Sequence, residues 1–380
     1  MEEVIKEKPI KRFWNGVLNA LRNRTFLYIL RRILSSLFTL VLIIAVVTAL
    51  IRLLPDTKFY DVKEYNNLVH KIGRAGAENY KNRSLYLAGR MDINGNEVPV
   101  IQSIFEYIYW ILPIPKSIPI KWNSNYTQVM EYAHFLTYFG KSQNLSGNPF
   151  ITDLLVSRMG ISFAISIICT LLTYLFGIPL GIAMAKKPGG PVDKAGNVFI
   201  VLNWAIPGLV FYLLMNSIMG RNDGIFGWGH FGFFYDEGKW WTLVPPIFCV
   251  VFLSIPGLSI WVRRYMVDEL SSDYVKFARS KGLSENLIMY KHVFRNAVIP
   301  LVRGLPATFI GAIIGSYYIE YIWTIPGTGI LLIQGLQGST PDVQLVQGLT
   351  VIYAALSMVS FLLGDLVTVF FDPRIKLEGN

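Results

Sequence analysis

Six apolar stretches interrupt an otherwise polar chain, each roughly the ~20 residues needed to cross a ~30 Å hydrocarbon core as a helix. They run from Ile33 to Ile51, Met159 to Ala185, Ala195 to Gly220, Trp240 to Val262, Ala297 to Ile319 and Val343 to Gly364. Five contain no Asp, Glu, Lys or Arg, and the fifth in order carries only Arg303, near its start, where a long side chain reaches the headgroups. This pattern predicts an all-α polytopic membrane protein with six transmembrane helices. Ahead of the first stretch, Ile10, Phe13, Trp14, Val17, Leu18 and Leu21 recur at helical spacing opposite Lys8, Lys11, Arg12 and Arg22. That is the signature of an amphipathic helix lying in the membrane interface, or of one packed on a soluble partner.

The boundaries expected are an N-terminal amphipathic helix over 1–25, a first transmembrane helix over 26–54, an extracytoplasmic insertion over 55–158, a transmembrane core over 159–371 and a tail over 372–380. Ile101 to Pro115 is apolar too, but it holds Glu106 and two prolines, and an extra crossing would invert every later loop. It reads as part of the insertion. Within that insertion, Leu85 to Leu87 and Val98 to Ile101 flank Asn94-Gly95, a dipeptide that favours a β-hairpin.

Charge then orients the chain. The net charge is +10, and the basic residues gather beside spans: eight Lys or Arg against three Glu in the first 32 residues. Lys186, Lys187 and Lys194 follow the second span, and Arg263, Arg264, Lys276, Arg279, Lys281, Lys291 and Arg295 follow the fourth, whereas Thr324 to Asp342 has no Lys or Arg. By the positive-inside rule both termini and the basic loops face the cytoplasm. The bilayer is the implied partner, and no nucleic-acid motif accompanies the charge. The first span continues into Arg52-Leu-Leu-Pro55 without a small-residue cleavage site, so it reads as a retained anchor.

Candidate chemistry is sparse. Cys169 and Cys249 both fall inside spans and read as packing residues. Asp92-Ile-Asn-Gly-Asn96 has its glycine too early for a calcium loop and reads as a turn. Gly140-Lys-Ser142 lacks the earlier glycine of a phosphate loop, because Phe135 stands there. No nucleotide, metal or other cofactor site is therefore expected on this chain, and the sequence predicts no catalytic residue. The proline and glycine pairs at Gly177-Ile-Pro-Leu-Gly181, Ile206-Pro-Gly208 and Ile255-Pro-Gly257 free backbone groups that lipid cannot solvate. They are expected to face neighbouring helices, as packing kinks or beside a pathway.

The loop over 267–297 carries the strongest signal. Asp273 suits a helix N-terminus; Tyr274, Val275, Phe277 and Ala278 offer apolar contact; Arg279 and Lys281 suit its C-terminal end; Gly282 permits a left-handed stop before Leu283. Ser284 is placed to cap a second helix with a stripe of Leu283, Leu287, Tyr290 and Phe294. The plainer alternative is a solvated connector that merely obeys the charge rule.

This loop, with Tyr28-Ile-Leu-Arg-Arg-Ile33, Glu320-Tyr-Ile-Trp-Thr-Ile-Pro-Gly327, Pro341-Asp-Val-Gln-Leu-Val-Gln-Gly348 and Phe371-Asp-Pro-Arg-Ile375, resembles the dipeptide, oligopeptide and nickel importer permeases of the ATP-binding-cassette class. It is most similar to the subunit type with the longer outer segment after its first span. The resemblance covers residues 26 to 54 and about 140 to 376. Two departures are the ending Phe294-Arg295-Asn296, where the wider permease pattern has Leu-Pro, and the long segment 56–139.

The resemblance implies a type I importer permease fold in a bacterial cell membrane, forming half of a pathway for oligopeptides. It implies a homologous second permease subunit, two ATPase subunits holding ATP and Mg, and an extracytoplasmic substrate-binding protein. It places the ATPase contact on Asp273, Tyr274, Val275, Phe277, Ala278, Arg279, Lys281, Gly282 and Leu283, with Arg295 and Asn296 in support. Dipeptides, nickel or another solute are the alternative cargoes. A secondary carrier would need ionisable groups near the midplane, and Glu320 and Asp365 read as terminal instead. A membrane-embedded enzyme finds no support in four scattered histidines.

Overall fold

A computed structural model describes residues 24–145, 147–220, 231–337 and 341–371. Residues 1–23 of the amphipathic helix expected over 1–25 and the tail 372–380 lie outside the described residues. The described residues are predominantly helical: five of their helices are long and apolar enough to cross a membrane, or six if one sharply bent pair counts as a span, and further helices stand beside them. In order these are α1 (Arg24–Arg52), then α2 (Val62–Leu87) and α3 (Val100–Ile111) of the insertion, and α4 (Ile151–Lys186). The bent pair is α5 (Pro191–Ala205) and α6 (Gly208–Gly220); α7 (Val244–Leu270) and the short α8 (Asp273–Ser280) follow. A helical turn at Glu285–Leu287 and a π-helical turn at Ile288–Val293 lead into α9 (Phe294–Gly315), then α10 (Tyr317–Ile322), α11 (Thr328–Leu336) and α12 (Val343–Phe371).

The third expected span is broken. Between α5 and α6 the axis turns by 90°. Pro207 forces the preceding Ile206 into extended backbone (φ −87°, ψ 119°) and offers no N–H to continue the helix. Of the other prolines of the spans, Pro245 and Pro246 open α7, while Pro179, Pro256, Pro300 and Pro306 remain inside helices. At Pro256 the missing N–H frees the carbonyl of Phe252, and the buried Asn203 of α5 donates its Nδ2 to that oxygen at 3.1 Å. The kinked helix and the broken one therefore satisfy each other.

Gly177 and Gly181 prove to be packing positions. A Cβ at Gly181 would sit 2.5 Å from Val262 Cβ and 2.7 Å from the Ser259 carbonyl, and one at Gly177 would sit 2.9 Å from Leu258 Cδ2. Spaced by four, the two glycines let α4 and α7 approach backbone to backbone. Ser259 locks the contact by donating to the carbonyl of Gly177 at 3.1 Å. Cys169 and Cys249 are buried in the same layer, packed with Ile165, Ile319 and Trp323.

The insertion departs from expectation. Leu85 to Leu87 close α2, and Val100 and Ile101 open α3, so the expected hairpin shrinks to a single antiparallel bridge, Met91 with Glu97, about the Asn94-Gly95 turn. Asn94-Gly95 is a turn whose Asp92 carboxylate accepts from the N–H groups of Asn94 and Asn96 at 2.8 Å. The antiparallel hairpin lies further on, β1 (Lys116–Trp122) against β2 (Val129–Phe135), with a register shift after Pro119. Prolines at 115, 119 and nearby read against a strand, and the pair tolerates Pro119 because a two-stranded sheet is all edge. The buried Lys116 donates to the carbonyls of Tyr109, Trp110 and Leu112, each at 2.7 Å, capping α3. Burial lowers the pKa of its ammonium from the usual lysine value.

The insertion is fastened to the last span. Asp342, fully buried, accepts from Ser142 Oγ at 2.6 Å and from the N–H groups of Gln143 and Asn144 at 2.8 and 3.1 Å, while its other oxygen caps α12 at Leu345. Ser142, the last residue of the truncated phosphate-loop pattern, thus helps to cradle a carboxylate, while the Lys141 N–H meets Gln344 Oε1. On this architecture, Gly181→Ala is expected to destabilise the fold by about 1–3 kcal/mol through overpacking. Gly257→Ala, where the added Cβ meets nothing within 4 Å, is expected to leave stability unchanged or improved. Thermal unfolding of the purified variants in detergent checks the contrast.

Candidate coupling site

The chain leaves α7 at Leu270 and makes a turn in which Ser272, in extended backbone, precedes α8 (φ −68°, ψ 149°). Ser272 accepts from the N–H of Val275 through its carbonyl, with no side-chain cap. Asp273 occupies the first helical position, where its charge complements the helix dipole. Its carboxylate accepts from Lys276 Nζ at 2.8 Å, and that bond holds the carboxyl below the usual range. Asp273 otherwise projects into solvent.

The two faces of α8 have different tasks. Val275 and Ala278 are buried in a cluster with Ile182, Val262, Met266, Ile288, Met289 and Val293, which brings α4, α7 and the π-helical turn onto the underside of α8. Of the apolar residues expected to meet a partner, these two face inward. Phe277 faces outward at 61% exposure, with Lys281 Nζ 4.4 Å from its ring centroid. Tyr274 donates its hydroxyl to Glu269 at 2.6 Å, tying α8 back to the end of α7.

The stop is the one expected. Gly282 has φ +75°, its N–H reaches the carbonyl of Arg279 at 2.9 Å, and the N–H of Leu283 reaches that of Ala278 at 3.4 Å. This is a Schellman motif with Leu283 packed on the same cluster as Ala278. Arg279 forks onto Glu285 at 2.8 and 3.1 Å, bridging the two sides of the glycine turn.

Beyond the turn, the expected stripe is corrected. Ile288, Met289, Val293 and Ala297 are buried, whereas Leu287 and Tyr290 are 41% and 52% exposed. The π-helical turn at Ile288–Val293 adds a residue to the helical repeat and rotates the register, so Leu283 and Phe294 of the expected stripe pack on the cluster while Leu287 and Tyr290 do not. Leu287 and Tyr290 thereby join Phe277 as exposed apolar groups between two spans. Arg295 is exposed and Asn296 half-buried in the first turn of α9.

An ion pair that sequence reasoning missed holds the platform. Asp193, buried in the first turn of α5, accepts from Arg263 Nε at 2.5 Å and Nη2 at 2.7 Å. It also accepts from the N–H of Gly189 at 2.7 Å and from Asn197 at 3.1 Å. The fork pins the basic turn after α4 to α7 two turns before α8. A second cluster joins three helices: Asp365 of α12 meets Arg32 of α1 at 3.3 Å and Arg303 of α9 at 3.1 Å.

Glu320 stands at the end of its span, as expected, and is completely buried there. It accepts from Ser162 Oγ and Ser316 Oγ, both at 2.7 Å, and from the N–H groups of Gly329 and Ile330 at 2.6 and 3.1 Å. Four donors from three segments, two of them at the N-terminus of α11, make it an architectural hub.

The arrangement defines a multi-span helical membrane protein that presents a short amphipathic helix, braced from beneath, between two of its spans. Residues 177–377 match the family described as "Binding-protein-dependent transport system inner membrane component", and the chain belongs to that family. Among its relatives is the oligopeptide transport system permease protein AmiC of Streptococcus pneumoniae, 39% identical over 223 residues. That alignment takes in 58% of this chain and 43% of AmiC, so the chain spans less than half of that relative's length. The dipeptide transport system permease protein DppB of Lactococcus lactis is 27% identical over 354 residues, covering 92% of this chain and 99% of DppB. A solved inward-facing structure of the MetNI methionine ABC transporter aligns with a TM-score of 0.46 at 16% identity, over 58% of this chain and 97% of that one.

Removing Asp193 would leave Arg263 without its partner and the Gly189 N–H unanswered. Asp193→Ala is expected to cost about 3 kcal/mol, and the double variant with Arg263→Ala to recover part of it. A double-mutant cycle on denaturant unfolding in detergent measures both.

Proposed function

We propose that this chain is a permease subunit of an ATP-driven importer, forming half of a pathway for oligopeptides in a bacterial cell membrane. The observation that carries the reading is the division of α8: Val275 and Ala278 are built into the core of the spans while Phe277 stands exposed above them. A helix so braced transmits a push on its outer face to α7 and α9 rather than absorbing it. The named permeases among the relatives support the same assignment, and AmiC's printed role favours oligopeptides over dipeptides or nickel.

In this reading the basic turns, α8 and both termini face the cytoplasm. Two ATPase subunits, which hold ATP and Mg, grip Asp273 to Leu283; Phe277 enters a groove on one of them, and Arg279, Lys281, Arg295 and Asn296 supply the surrounding charge and polarity. ATP binding closes the ATPases, moves α8 and turns the pathway from inward to outward facing; hydrolysis resets it. A homologous second permease completes the pathway, and an extracytoplasmic binding protein delivers the peptide. This chain's share of the pathway is a cavity of about 390 Å³ between α4, α7 and α9, with Tyr174, Ser254, Trp261 and Thr308 on its wall. Chemistry beyond binding and motion resides on the ATPases.

Two substitutions test the coupling. Phe277→Ala is expected to leave stability within about 0.5 kcal/mol, because the ring is mostly exposed. It is expected to lower ATP-dependent peptide uptake by the assembled complex in proteoliposomes about tenfold or more. Gly282→Val places a β-branched residue at φ +75° and is expected to uncouple uptake while membrane insertion persists; Gly282→Asn, which tolerates that backbone, is expected to retain uptake. Normal uptake by both Phe277→Ala and Gly282→Val would remove α8 from the coupling role.

A further inference from the structure

Where α2, the β1–β2 hairpin, the 141–148 loop and the first turn of α12 meet, the protein encloses a cavity of about 540 Å³. That volume falls in the roughly 300–1,000 Å³ range of small-molecule sites. Its walls combine aromatic surface with positive charge. Tyr60, Tyr80, Trp122 and Tyr126 supply rings, and Arg83, Lys121 and Lys141 supply three cations. The one carboxylate among the described lining residues, Asp61, is engaged in capping α2, accepting from the N–H groups of Lys63 and Glu64.

Two buried donors on this wall have no partner among the described residues: Trp122 Nε1 and Gln344 Nε2. Gln344 is only 5% exposed, and its Oε1 is already taken by the N–H of Lys141 at 2.9 Å, which fixes which end of the amide is free. A buried polar group left unpaired is costly, and a ligand acceptor removes the cost. The backbone points to the same place. Among the described residues, three non-glycine residues adopt left-handed φ, and two of them, Tyr126 (59°) and Asn148 (45°), line this cavity. Such conformations collect where a structure holds groups for a ligand.

Unpaired donors and three cations call for an acceptor-rich, anionic group; the rings beside them call for an apolar or aromatic neighbour. We propose that this cavity is a binding site for the C-terminal end of a short peptide, its carboxylate held by Lys121 and Lys141 and its last side chain against Tyr80 and Tyr126. The amides of Gln344 and Asn148 are placed to meet peptide backbone. The proposal rests on the peptide reading above and adds to it a second peptide site, outside the spans and distinct from the cavity between α4, α7 and α9. Because Gln344 and the Asp342 cradle belong to the first turn of α12, occupancy bears directly on the last span.

The test uses the purified full-length chain in lipid nanodiscs, titrated calorimetrically with the tetrapeptide Ala-Ala-Leu-Phe as its free acid and as its C-terminal amide. The free acid is expected to bind saturably and the amide about tenfold more weakly. Lys121→Gln and Lys141→Gln are each expected to weaken the acid severalfold and leave the amide unchanged. Trp122→Phe keeps the ring and deletes an unpaired buried donor, so it is expected to preserve or raise Tm while weakening binding; a merely structural tryptophan would lose Tm instead. Equal affinity for acid and amide, absence of saturable binding, or indifference to Lys121→Gln and Lys141→Gln would overturn the site. Uptake by the assembled importer is measured separately: uptake without acid-selective binding ends this proposal alone, and acid-selective binding without uptake supports the site while ending the transport reading.

Discussion

A bilayer cannot hydrogen-bond to a protein, and every polar group placed at its depth must be answered from within. The structure depends on how this chain meets that demand. Its spans carry prolines at 179, 207, 256, 300 and 306, each of which removes a helical hydrogen bond. At one of them the helix breaks; at Pro256 it continues, and Asn203 from the broken helix supplies the missing donor to Phe252. Ser259 performs a related service for Gly177, where glycine spacing has brought two backbones together. Glu320 is the extreme case. Burying a carboxylate is tolerable only when its oxygens are filled, and here four donors fill them from α4, α10 and the N-terminus of α11. Each of these contacts joins segments that are distant in sequence, so satisfying the backbone also fixes the packing.

That rigidity gives α8 its leverage. A short helix of eight residues is marginal alone and takes its stability from the face it buries. Val275 and Ala278 sit on Val262 and Met266 of α7 and on Met289 and Val293 at the entry to α9, so a displacement of α8 moves the ends of two spans together. The Asp193–Arg263 fork keeps α7 from yielding independently of the turn after α4. The Schellman stop at Gly282 and the Arg279–Glu285 bridge set the angle at which the chain leaves α8 for α9. The inner face of α8 is thus built into the core while its outer face carries an exposed aromatic.

Hydropathy made the membrane class and five of the spans legible, because twenty uncharged apolar residues have few other stable fates. Charge asymmetry and the loop residues likewise pointed to α8 and its glycine stop, since both rest on local rules. What escaped were features set by distant partners. Ala195 to Gly220 reads as one apolar run; that Ile206-Pro207 breaks it by 90° depends on what receives the freed groups. The stripe after Ser284 slipped because a π-helical turn shifts a helix's register without leaving any mark in residue spacing. The hairpin was assigned to Asn94-Gly95 on turn chemistry alone, and Asp92 does make that turn, but α2 and α3 take the residues on either side. Glu320 is terminal to its span as it reads, but its burial depends on Ser162, 158 positions earlier.

The insertion is the part of the chain furthest from any local rule, and its attachment says most about its role. It does not hang from the end of α1 as an appendage. Arg90 pairs with Asp56, stacks its guanidinium 4.5 Å from the ring centroid of Phe59 and donates to the Ile51 carbonyl, closing the insertion onto the first span. At its other end Ser142, Gln143 and Asn144 surround Asp342, and Gly140 lies so close to Gln344 that a Cβ there would approach its Oε1 to 3.0 Å. The Thr48–Gln347 contact then joins α1 to α12 directly. The first span, the insertion and the last span therefore form one continuous body, closed within the membrane by Thr48 and above it by two buried side-chain networks. A protein that needed only to fill space between its first two spans would have no use for carboxylate cradles and guanidinium clamps at both ends. Such fastening holds whatever meets the insertion to the first and last spans, whereas α8 is braced on α7 and the entry to α9.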